Sequence, residues 1–340
     1  MYIIYIIMAI LAFGILIIVH ELGHFTLAKL NGIRVEEFSI GMGPNIFFKQ
    51  GKETKYSLRL FPIGGYVKMM GEEEAVEDER SFSAKSPQRR ISVIIAGVIM
   101  NYILAIIIFT AFIYHTGIIQ SITANEVNEG TPAYESGLLK GDKFLEVNDL
   151  KVFTFDDISG GVTLSAGKPI SVIVERDGQK INKTITPEKN EQGRLVIGVG
   201  FAPIENPSLG QSFKQSFKQT ASLVSQTFKG LEMIFTGKAN LKTDVGGPVT
   251  IIKMSTKTAE MGIWPLLYFT GFLSVNLAVF NLLPFPALDG GWCVILLIEL
   301  ITRRKIPDKI VEKLNYVGFA ALIGLMILVT IKDFVFPVNF

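Results

Sequence analysis

One apolar run near the start of the chain constrains the fold more than any other feature, because ionisable side chains stand inside it. Residues 14–30 read GILIIVHELGHFTLAKL, and no charged residue occurs between Tyr2 and Val19. With its lightly polar continuation to Leu30, the run is long enough to cross a bilayer as a helix. Charged or titratable groups are costly in such a helix, so their presence indicates a functional site.

The ionisable residues of this run form the pattern H-E-x-x-H. His20 and His24 are four positions apart, which places both imidazoles on one face of a helix, where they can bind one metal ion. Glu21 can then act as the general base on an attacking water. The pattern also arises by chance in soluble helices, but the apolar surroundings favour metal binding here.

The pattern leaves a third metal ligand to be found. The chain has three histidines and one cysteine, so a cysteine-rich zinc site around Cys293 is excluded. A metzincin would carry Gly and His at the positions of Leu27 and Leu30. The third ligand is therefore expected to be a carboxylate, or else the distant His115.

Composition favours a multi-pass membrane protein. Hydrophobic residues make up 49% of the 340 residues and the mean hydropathy is +0.40, both high for a soluble protein. The net charge of +2 is too small to indicate a nucleic-acid partner. Four spans are predicted at about 2–30, 91–119, 263–283 and 314–336. The apolar run 292–301 is too short to cross, and the N-terminal run is expected to be retained, unlike a signal peptide.

Basic residues predict the orientation of the spans. Lys85, Arg89 and Arg90 precede the second span. Five more lie between the third and fourth spans: Arg303, Arg304, Lys305, Lys309 and Lys313. The positive-inside rule places both connections in the cytoplasm. Both termini and the segment 120–262 are then expected outside.

The first connection, about 31–90, contains a predicted β-hairpin. Short apolar runs at 46–48 and 56–61 flank the polar residues 50–53. Apolar and polar residues alternate from Tyr56 to Leu60, which predicts an outer edge strand. Irregular backbone is tolerated at membrane depth where protein lines the interior, so the hairpin could pair with an unwound substrate. The predicted substrate contacts are Tyr56, Ser57, Leu58 and Arg59.

Between the second and third spans the chain becomes soluble in character. Two strands are predicted at 171–175 and 181–185, joined by the tight turn Asp177-Gly178. Further on, residues 207–236 carry an apolar stripe opposite Lys and Gln. The stripe consists of Leu209, Phe213, Phe217, Ala221, Val224, Phe228 and Leu231. It suits a helix on the membrane surface or one packed on the soluble domain.

A carboxylate near the third span is the candidate third ligand. Residues 276–291 read NLAVFNLLPFPALDGG, and Pro284 and Pro286 cannot continue a regular helix. Broken helices at membrane depth occur where backbone lines a cavity. Asp289 could complete a zinc site that keeps one position for water. The alternative is that Asp289 caps the following helix.

Two amides lie in the same stretch. Asn276 and Asn281 are five residues apart, and either amide could hydrogen-bond a peptide backbone or a developing oxyanion. The alternative use of such amides is a hydrogen bond between membrane helices. Gly97 and Asn101 in the second span are expected to serve helix packing first and chemistry second.

Taken together, these motifs resemble bacterial site-2 proteases of the regulator-of-sigma-E type, which are zinc intramembrane metalloproteases. The matching motifs are HELGH at 20–24, FSIGMGP at 38–44, FPIGGYVKMMGE at 61–72, AGVIMN at 96–101, GGPV at 246–249 and NLLPFPALDGG at 281–291. The resemblance implies that His20, His24 and Asp289 bind zinc and that Glu21 is the catalytic acid/base. It also implies that Asn281 holds substrate and that residues near 34–69 form a membrane-reentrant β-hairpin.

The soluble segment resembles a single PDZ domain, through GTPAYESGLLKGDKFLEVND at 130–149. The expected fold is a polytopic α-helical membrane protein with about four transmembrane helices, a cytoplasmic-side membrane-reentrant β-hairpin and an inserted extracytoplasmic PDZ-like α+β domain. Its expected parts are the N-terminal half of the membrane core (1–120), the PDZ-like domain (121–190), an amphipathic linker region (191–262) and the C-terminal half of the membrane core (263–340). The resemblance implies a bacterial inner-membrane enzyme that cuts single-pass segments of trimmed anti-sigma factors or leftover signal peptides. The rival interpretations are an ion-coupled transporter and an inactive PDZ scaffold.

Overall fold

The structure is a computed structural model that describes residues 2–72, 76–240, 242 and 245–337. The chain divides into two compact units, one made of residues up to 105 and from 239 onward, the other of residues 106–238. The helices and strands up to the second long helix are α1 (Tyr2–Leu30), β1 (Val35–Gln50), β2 (Lys55–Met69) and α2 (Pro87–Thr116), with a 3-10 turn at Phe82–Ala84. The elements from 118 to 235 are β3 (Ile118–Val127), α3 (Pro132–Glu135), β4 (Lys143–Val147), β5 (Leu150–Lys151), α4 (Phe155–Leu164), β6 (Ile170–Arg176), β7 (Gln179–Ile185), β8 (Glu188–Lys189), β9 (Leu195–Val196), β10 (Val199–Glu205) and α5 (Leu209–Phe235). The last four helices are α6 (Pro248–Glu260), α7 (Ile263–Asn281), α8 (Asp289–Thr302) and α9 (Asp308–Val335).

In the part of the chain that the structure describes, four helices are long and apolar enough to cross a membrane, and they lie where the sequence predicts spans. They are α1, α2, α7 and residues Lys309–Val335 of α9. The second begins four residues before the predicted start, at Pro87. Helix α8 has 14 residues and is about 21 Å long at the helical rise of about 1.5 Å per residue. It is therefore too short to span a bilayer, as predicted.

The first unit contains a sheet in which two long strands fold back on themselves. Residues 35–40 of β1 pair with 65–69 of β2 on one side and with 55–58 of β2 on the other. Residues 45–50 of β1 then pair with the far side of 55–59. The prediction of an outer strand at Tyr56–Leu60 is therefore wrong, because this segment is hydrogen-bonded on both sides. Among the described residues, 45–50 and 65–69 have no further strand on their outer side, although Met69 N donates to the Glu72 carboxylate at 3.3 Å.

The tip of this sheet is held by ion pairs. Glu53, between the two strands, accepts hydrogen bonds from the Lys29 ammonium and the Arg80 guanidinium. These hydrogen bonds lower the pKa of Glu53 to about 2, so its carboxylate stays charged. Because Lys29 lies in the last turn of α1, the contact fixes the sheet to the helix that carries H-E-x-x-H.

Helices α1 and α2 approach closely at the histidine pair. A Cβ added to Gly97 of α2 would lie 2.5 Å from His24 Nε2 and 2.7 Å from His20 Cε1. Only a residue without a side chain leaves room for both rings there. Next to this contact, a buried apolar cluster joins α1, β1, α2 and α8. The motif glycine therefore fixes the distance between the helix that carries the histidines and its neighbour.

The second unit is built on an antiparallel sheet with strand order β10-β3-β4-β6-β7, and β5 pairs with β4. The predicted hairpin is confirmed: β6 and β7 pair from Ile170↔Ile185 to Arg176↔Gln179, and Asp177 and Gly178 both have positive φ. The core includes Phe144, Ile170 and Val172, each fully buried. Because β3 starts at 118 and β10 ends at 205, the sheet draws in residues on both sides of 121–190.

Helix α5 has the predicted periodicity, but its polar side is the buried one. Ser212, Ser216 and Ser222 are fully buried, and Asp157 at the start of α4 accepts hydrogen bonds from Ser222 and Gln226. The predicted stripe points outward, with Phe213 and Phe217 about half exposed. Packing on the soluble domain, one of the two predicted locations, therefore holds for the polar face of α5. It does not hold for the predicted apolar stripe.

Candidate metal centre

Three side chains from distant parts of the chain converge on one point. His20 Nε2 lies 3.2 Å and His24 Nε2 lies 3.6 Å from Asp289 Oδ2, and the two Nε2 atoms are 3.2 Å apart. Both histidines are 7% exposed. One ligand atom from each of the three residues lies within 4.8 Å of the others. The structure therefore brings together the three residues that were predicted from the sequence as metal ligands.

The polar atoms of this cluster fit a zinc ion. Asp289 Oδ2 is buried and has no hydrogen-bond partner among the described residues, an arrangement that is costly for a carboxylate oxygen. A cation held between this oxygen and two imidazole nitrogens would satisfy all three. Two histidines with one carboxylate form a known catalytic zinc donor set that leaves a fourth position open.

His24 is held in the form that a metal requires. Its Nδ1 lies 2.9 Å from the carbonyl oxygen of Val93 on α2. A carbonyl only accepts hydrogen bonds, so Nδ1 carries the proton and Nε2 presents its lone pair to the cluster. Such a second contact fixes the tautomer and the orientation of a ligating imidazole.

Asn101 stands in the same relation to His20. The Asn101 side chain is fully buried, its Nδ2 lies 3.3 Å from His20 Nδ1, and its Oδ1 has no hydrogen-bond partner among the described residues. Turning the amide by 180° places Oδ1 against Nδ1–H, which satisfies both groups and frees His20 Nε2 for a metal. The Asn101 backbone carbonyl in turn accepts a 2.8 Å hydrogen bond from Ser274 of α7.

We predict that Asn101→Leu weakens zinc binding by about 10- to 100-fold, the usual cost of losing an outer contact to a metal ligand. Asn101→Asp keeps the acceptor and should retain most of the affinity. Competition of purified protein against a zinc chelator measures both. Asn276→Leu is the control, because the Asn276 amide donates to Phe272 of its own helix. Equal affinity of the Leu and Asp variants would refute the orienting role.

Asp289 reaches the cluster because α8 starts there. Leu288 is the N-cap residue and Asp289 is the first helical residue, and Asp289 Oδ2 accepts no hydrogen bond from a described residue. The capping alternative is therefore not what the geometry gives. A Cβ added to Gly290 would overlap the carbonyl oxygens of Leu282 and Leu283. The glycine after Asp289 thus lets the first turn of α8 lie directly on the end of α7.

Glu21 lines the same cavity as the cluster. This cavity has a volume of about 240 Å³ and is bounded by α1, the β2 edge, α2 and the start of α8. The edge of the sheet comes close to the base, since a Cβ added to Gly65 would lie 3.2 Å from Glu21 Cγ. Glu21 is therefore placed beside the metal ligands and beside a free strand edge.

The predicted polar partners differ in their placement. Asn281 Nδ2 lies 3.4 Å from His20 Nε2, so its amide stands at the cluster. Asn276 donates to its own helix instead. His115 is exposed in the last turn of α2, within the second unit. It is not a member of the cluster.

The four predicted strand contacts lie inside the sheet. Ser57 is buried and its hydroxyl donates to Glu37 at 2.5 Å. The Arg59 guanidinium donates to the same carboxylate at 2.9 Å and to the Gly43 carbonyl at 2.9 Å. The Tyr56 ring packs edge-on to Phe25, and Leu58 is half exposed. None of the four lines the cavity at the cluster within the described part of the chain.

Sequence reasoning missed several residues that do line this cavity. They are Tyr66, Val67, Met69, Glu72, Ile94, Ala287, Leu288 and Trp292. The first four belong to the motif FPIGGYVKMMGE, which was noted only as a point of resemblance. The paired glycines before Tyr66 could have indicated a close approach of this strand to another backbone or a site.

Comparisons with known proteins identify relatives over most of the chain. The model of peptidase family M50 matches residues 8–325. A Clostridium perfringens protein named "Putative zinc metalloprotease CPE1693" is 53% identical over 334 residues, covering 98% of this chain and 99% of that protein. A Clostridium acetobutylicum protein named "Putative zinc metalloprotease CA_C1796" is 43% identical, covering 98% of each chain.

A third relative is named as a protease without mention of the metal. This Enterococcus faecalis protein, "Probable protease eep", is 32% identical and covers 95% of this chain and 97% of that protein. The family model and these relatives extend over both the histidine motif and the Asp289 segment. The chain therefore belongs to peptidase family M50, the site-2 protease family, and is a zinc-dependent metalloprotease of the membrane.

Proposed function

We propose that the protein is an intramembrane endopeptidase that cleaves single-pass transmembrane segments. The observation that carries the proposal is the position of the cluster: two ligands and the base lie within α1, whose remaining residues up to Val19 are uncharged. A catalytic site within a membrane-spanning helix is accessible to a substrate that is itself in the membrane, and a soluble substrate would not need such a site. Family membership supports peptide-bond hydrolysis over the transporter and scaffold alternatives.

In this proposal each polar group has one task. Zinc, when bound, acts as a Lewis acid that makes water a nucleophile near neutral pH. Glu21 takes the proton of the attacking water and passes it to the leaving amine. Asn281 donates a hydrogen bond to the carbonyl oxygen of the scissile bond as negative charge develops there. Val93 and Asn101 keep the two imidazoles oriented.

The substrate must present its backbone to these groups. A helix hides its carbonyls in its own hydrogen bonds, so the scissile segment has to unwind, and unmet backbone groups in an apolar cavity cost several kcal/mol each. The free edge at 65–69 offers the complementary donors and acceptors. We assign substrate pairing to this edge in place of Tyr56–Arg59, because 65–69 borders the cavity and Glu21.

Proline at this edge should therefore block cleavage. Neighbouring residues of a strand direct their N–H groups to opposite sides, so either Val67→Pro or Lys68→Pro removes a donor that faces the substrate. We expect one of them to lower turnover at least about tenfold with zinc content unchanged, whereas alanine at that position does much less. Turnover near that of the parent protein with both prolines would exclude strand addition here.

The substrate class and the role of the second unit are part of the same proposal. We assign residues 118–205 as a PDZ-like domain outside the cytoplasm that admits trimmed substrates, such as anti-sigma factors or signal-peptide remnants in a bacterial inner membrane. The sheet and the 130–149 motif support this assignment. The two ends of the domain lie side by side, because Asn206 N donates to Gly117 O at 2.8 Å and β3 pairs with β10 at Ile118↔Glu205.

One reconstitution tests both statements. In vesicles, the full chain should cut a short single-pass substrate within its span, as mapped by mass spectrometry, and should cut a version with a folded extracytoplasmic domain at least about tenfold more slowly. Joining 117 to 206 should remove that difference. Cleavage of soluble segments only would contradict the intramembrane activity, and an unchanged preference after excision would contradict the filter.

A further inference from the structure

A second cavity, separate from the catalytic one, lies where α2 begins and α8 ends. Its volume is about 540 Å³, within the range of small-molecule sites. Basic side chains from two distant segments line it: Lys85 from one, and Arg303, Arg304 and Lys305 from the other. The proposed proteolysis uses none of these residues.

Two of the charged side chains that line this cavity, Arg90 and Glu299, neutralise each other. Arg90 and Glu299 form a buried ion pair, with 2.8 Å between Nη1 and Oε2 and side-chain exposures of 7% and 6%. The other Glu299 oxygen accepts a hydrogen bond from Ile306 N at 3.1 Å. Glu299 is the one carboxylate among the described residues that line the cavity. Both of its oxygens are therefore engaged, and the pair also fixes the segment that carries Arg303 and Arg304.

In contrast, Lys85, Arg303 and Arg304, which we call the wall of the cavity, carry surplus positive charge. No described residue forms an ion pair with Lys85, Arg303 or Arg304. The partial charges at the N-terminus of α2 and the C-terminus of α8 are opposite in sign and about equal, so they largely cancel. The net positive charge of the cavity therefore comes from its side chains, and this charge favours binding of an anion.

We propose that this cavity binds a phosphate group, the headgroup phosphate of an anionic phospholipid. Guanidinium groups suit phosphate oxygens because their donors match them in pairs. The cavity lies at the first turn of α2, a candidate membrane span, and therefore at the depth of lipid headgroups. A soluble phosphate compound has the same chemistry and is the alternative source.

Native mass spectrometry of the full chain in detergent tests the proposal, with phosphatidylglycerol and phosphatidylcholine as lipid probes and inorganic phosphate as competitor. The paired variant Arg303→Ala/Arg304→Ala removes two wall charges. The matched control Lys309→Ala/Lys313→Ala removes two charges from the start of α9, outside the cavity. Lys85→Ala tests the third wall charge independently if the paired variant does not fold. Zinc content reports that each variant keeps its catalytic unit.

Binding of phosphatidylglycerol in preference to phosphatidylcholine, weakened at least about tenfold more by the wall variants than by the control, supports a lipid site. Saturable competition by inorganic phosphate, lost in the same variants, supports the phosphate site with a soluble source. Equal losses in wall and control variants would mean a diffuse attraction between charges and membrane, and would overturn the proposal. Retention of lipid by every variant would overturn it as well.

Discussion

Glu21→Gln will retain zinc and lose hydrolysis by about 10³- to 10⁴-fold. The side chain is not one of the three converging ligand residues, so the metal set stays complete. The change removes only the group that accepts a proton from water, and general acid–base catalysis contributes about 10²- to 10⁴-fold, with the larger values expected where one group serves both halves of the reaction. Turnover of a reconstituted single-pass substrate, together with zinc content, measures the effect.

The matched control is Glu72→Gln, a carboxylate on the wall of the same cavity. This change also replaces a carboxylate with an amide, but Glu72 does not belong to H-E-x-x-H. We expect this variant to keep turnover within about tenfold of the parent protein. Comparable losses in both variants would mean that the cavity needs negative charge in general and would remove the specific role of Glu21.

Asp289→Asn will weaken zinc binding itself. An amide oxygen is neutral and a poorer zinc ligand than a carboxylate, so we expect affinity to fall by more than the roughly 10- to 100-fold caused by losing an outer contact. Activity should return at high zinc concentration only in part. Chelator competition and metal analysis of purified protein give the affinity.

A second buried aspartate of the same unit provides the control for Asp289. Asp333 of α9 is 1% exposed and accepts hydrogen bonds from Gly247 N at 3.0 Å and Thr250 N at 2.9 Å, at the start of α6. Asp333→Asn should reduce stability while leaving zinc affinity unchanged. If Asp289→Asn also leaves zinc affinity and activity unchanged, the third ligand lies elsewhere.

The ligands could be predicted from sequence because their geometry is local or their environment is unusual. His20 and His24 share a helix face by their spacing alone. Asp289 stands out as an acid among apolar residues, next to prolines that break a helix. In both cases the cost of a charge in an apolar setting identified the residue without knowledge of the tertiary structure.

The errors have one origin, which is pairing between distant segments. The alternation at Tyr56–Leu60 gives the period of a strand, but it does not say how many neighbours the strand has, and β1 supplies two. In α5 the period is correct, yet the serine face is the one that packs. Asn101 was assigned to helix packing, because only the tertiary structure places its amide at His20.

The central claim is that His20, His24 and Asp289 together hold the zinc, and X-ray absorption at the zinc edge tests it most directly. We predict two imidazole ligands with the remaining donors oxygen in the parent protein and in Glu21→Gln, and loss of the metal or of one oxygen donor in Asp289→Asn. A His115→Ala variant should leave the spectrum unchanged. A third imidazole or a sulfur ligand in the parent protein would contradict the account.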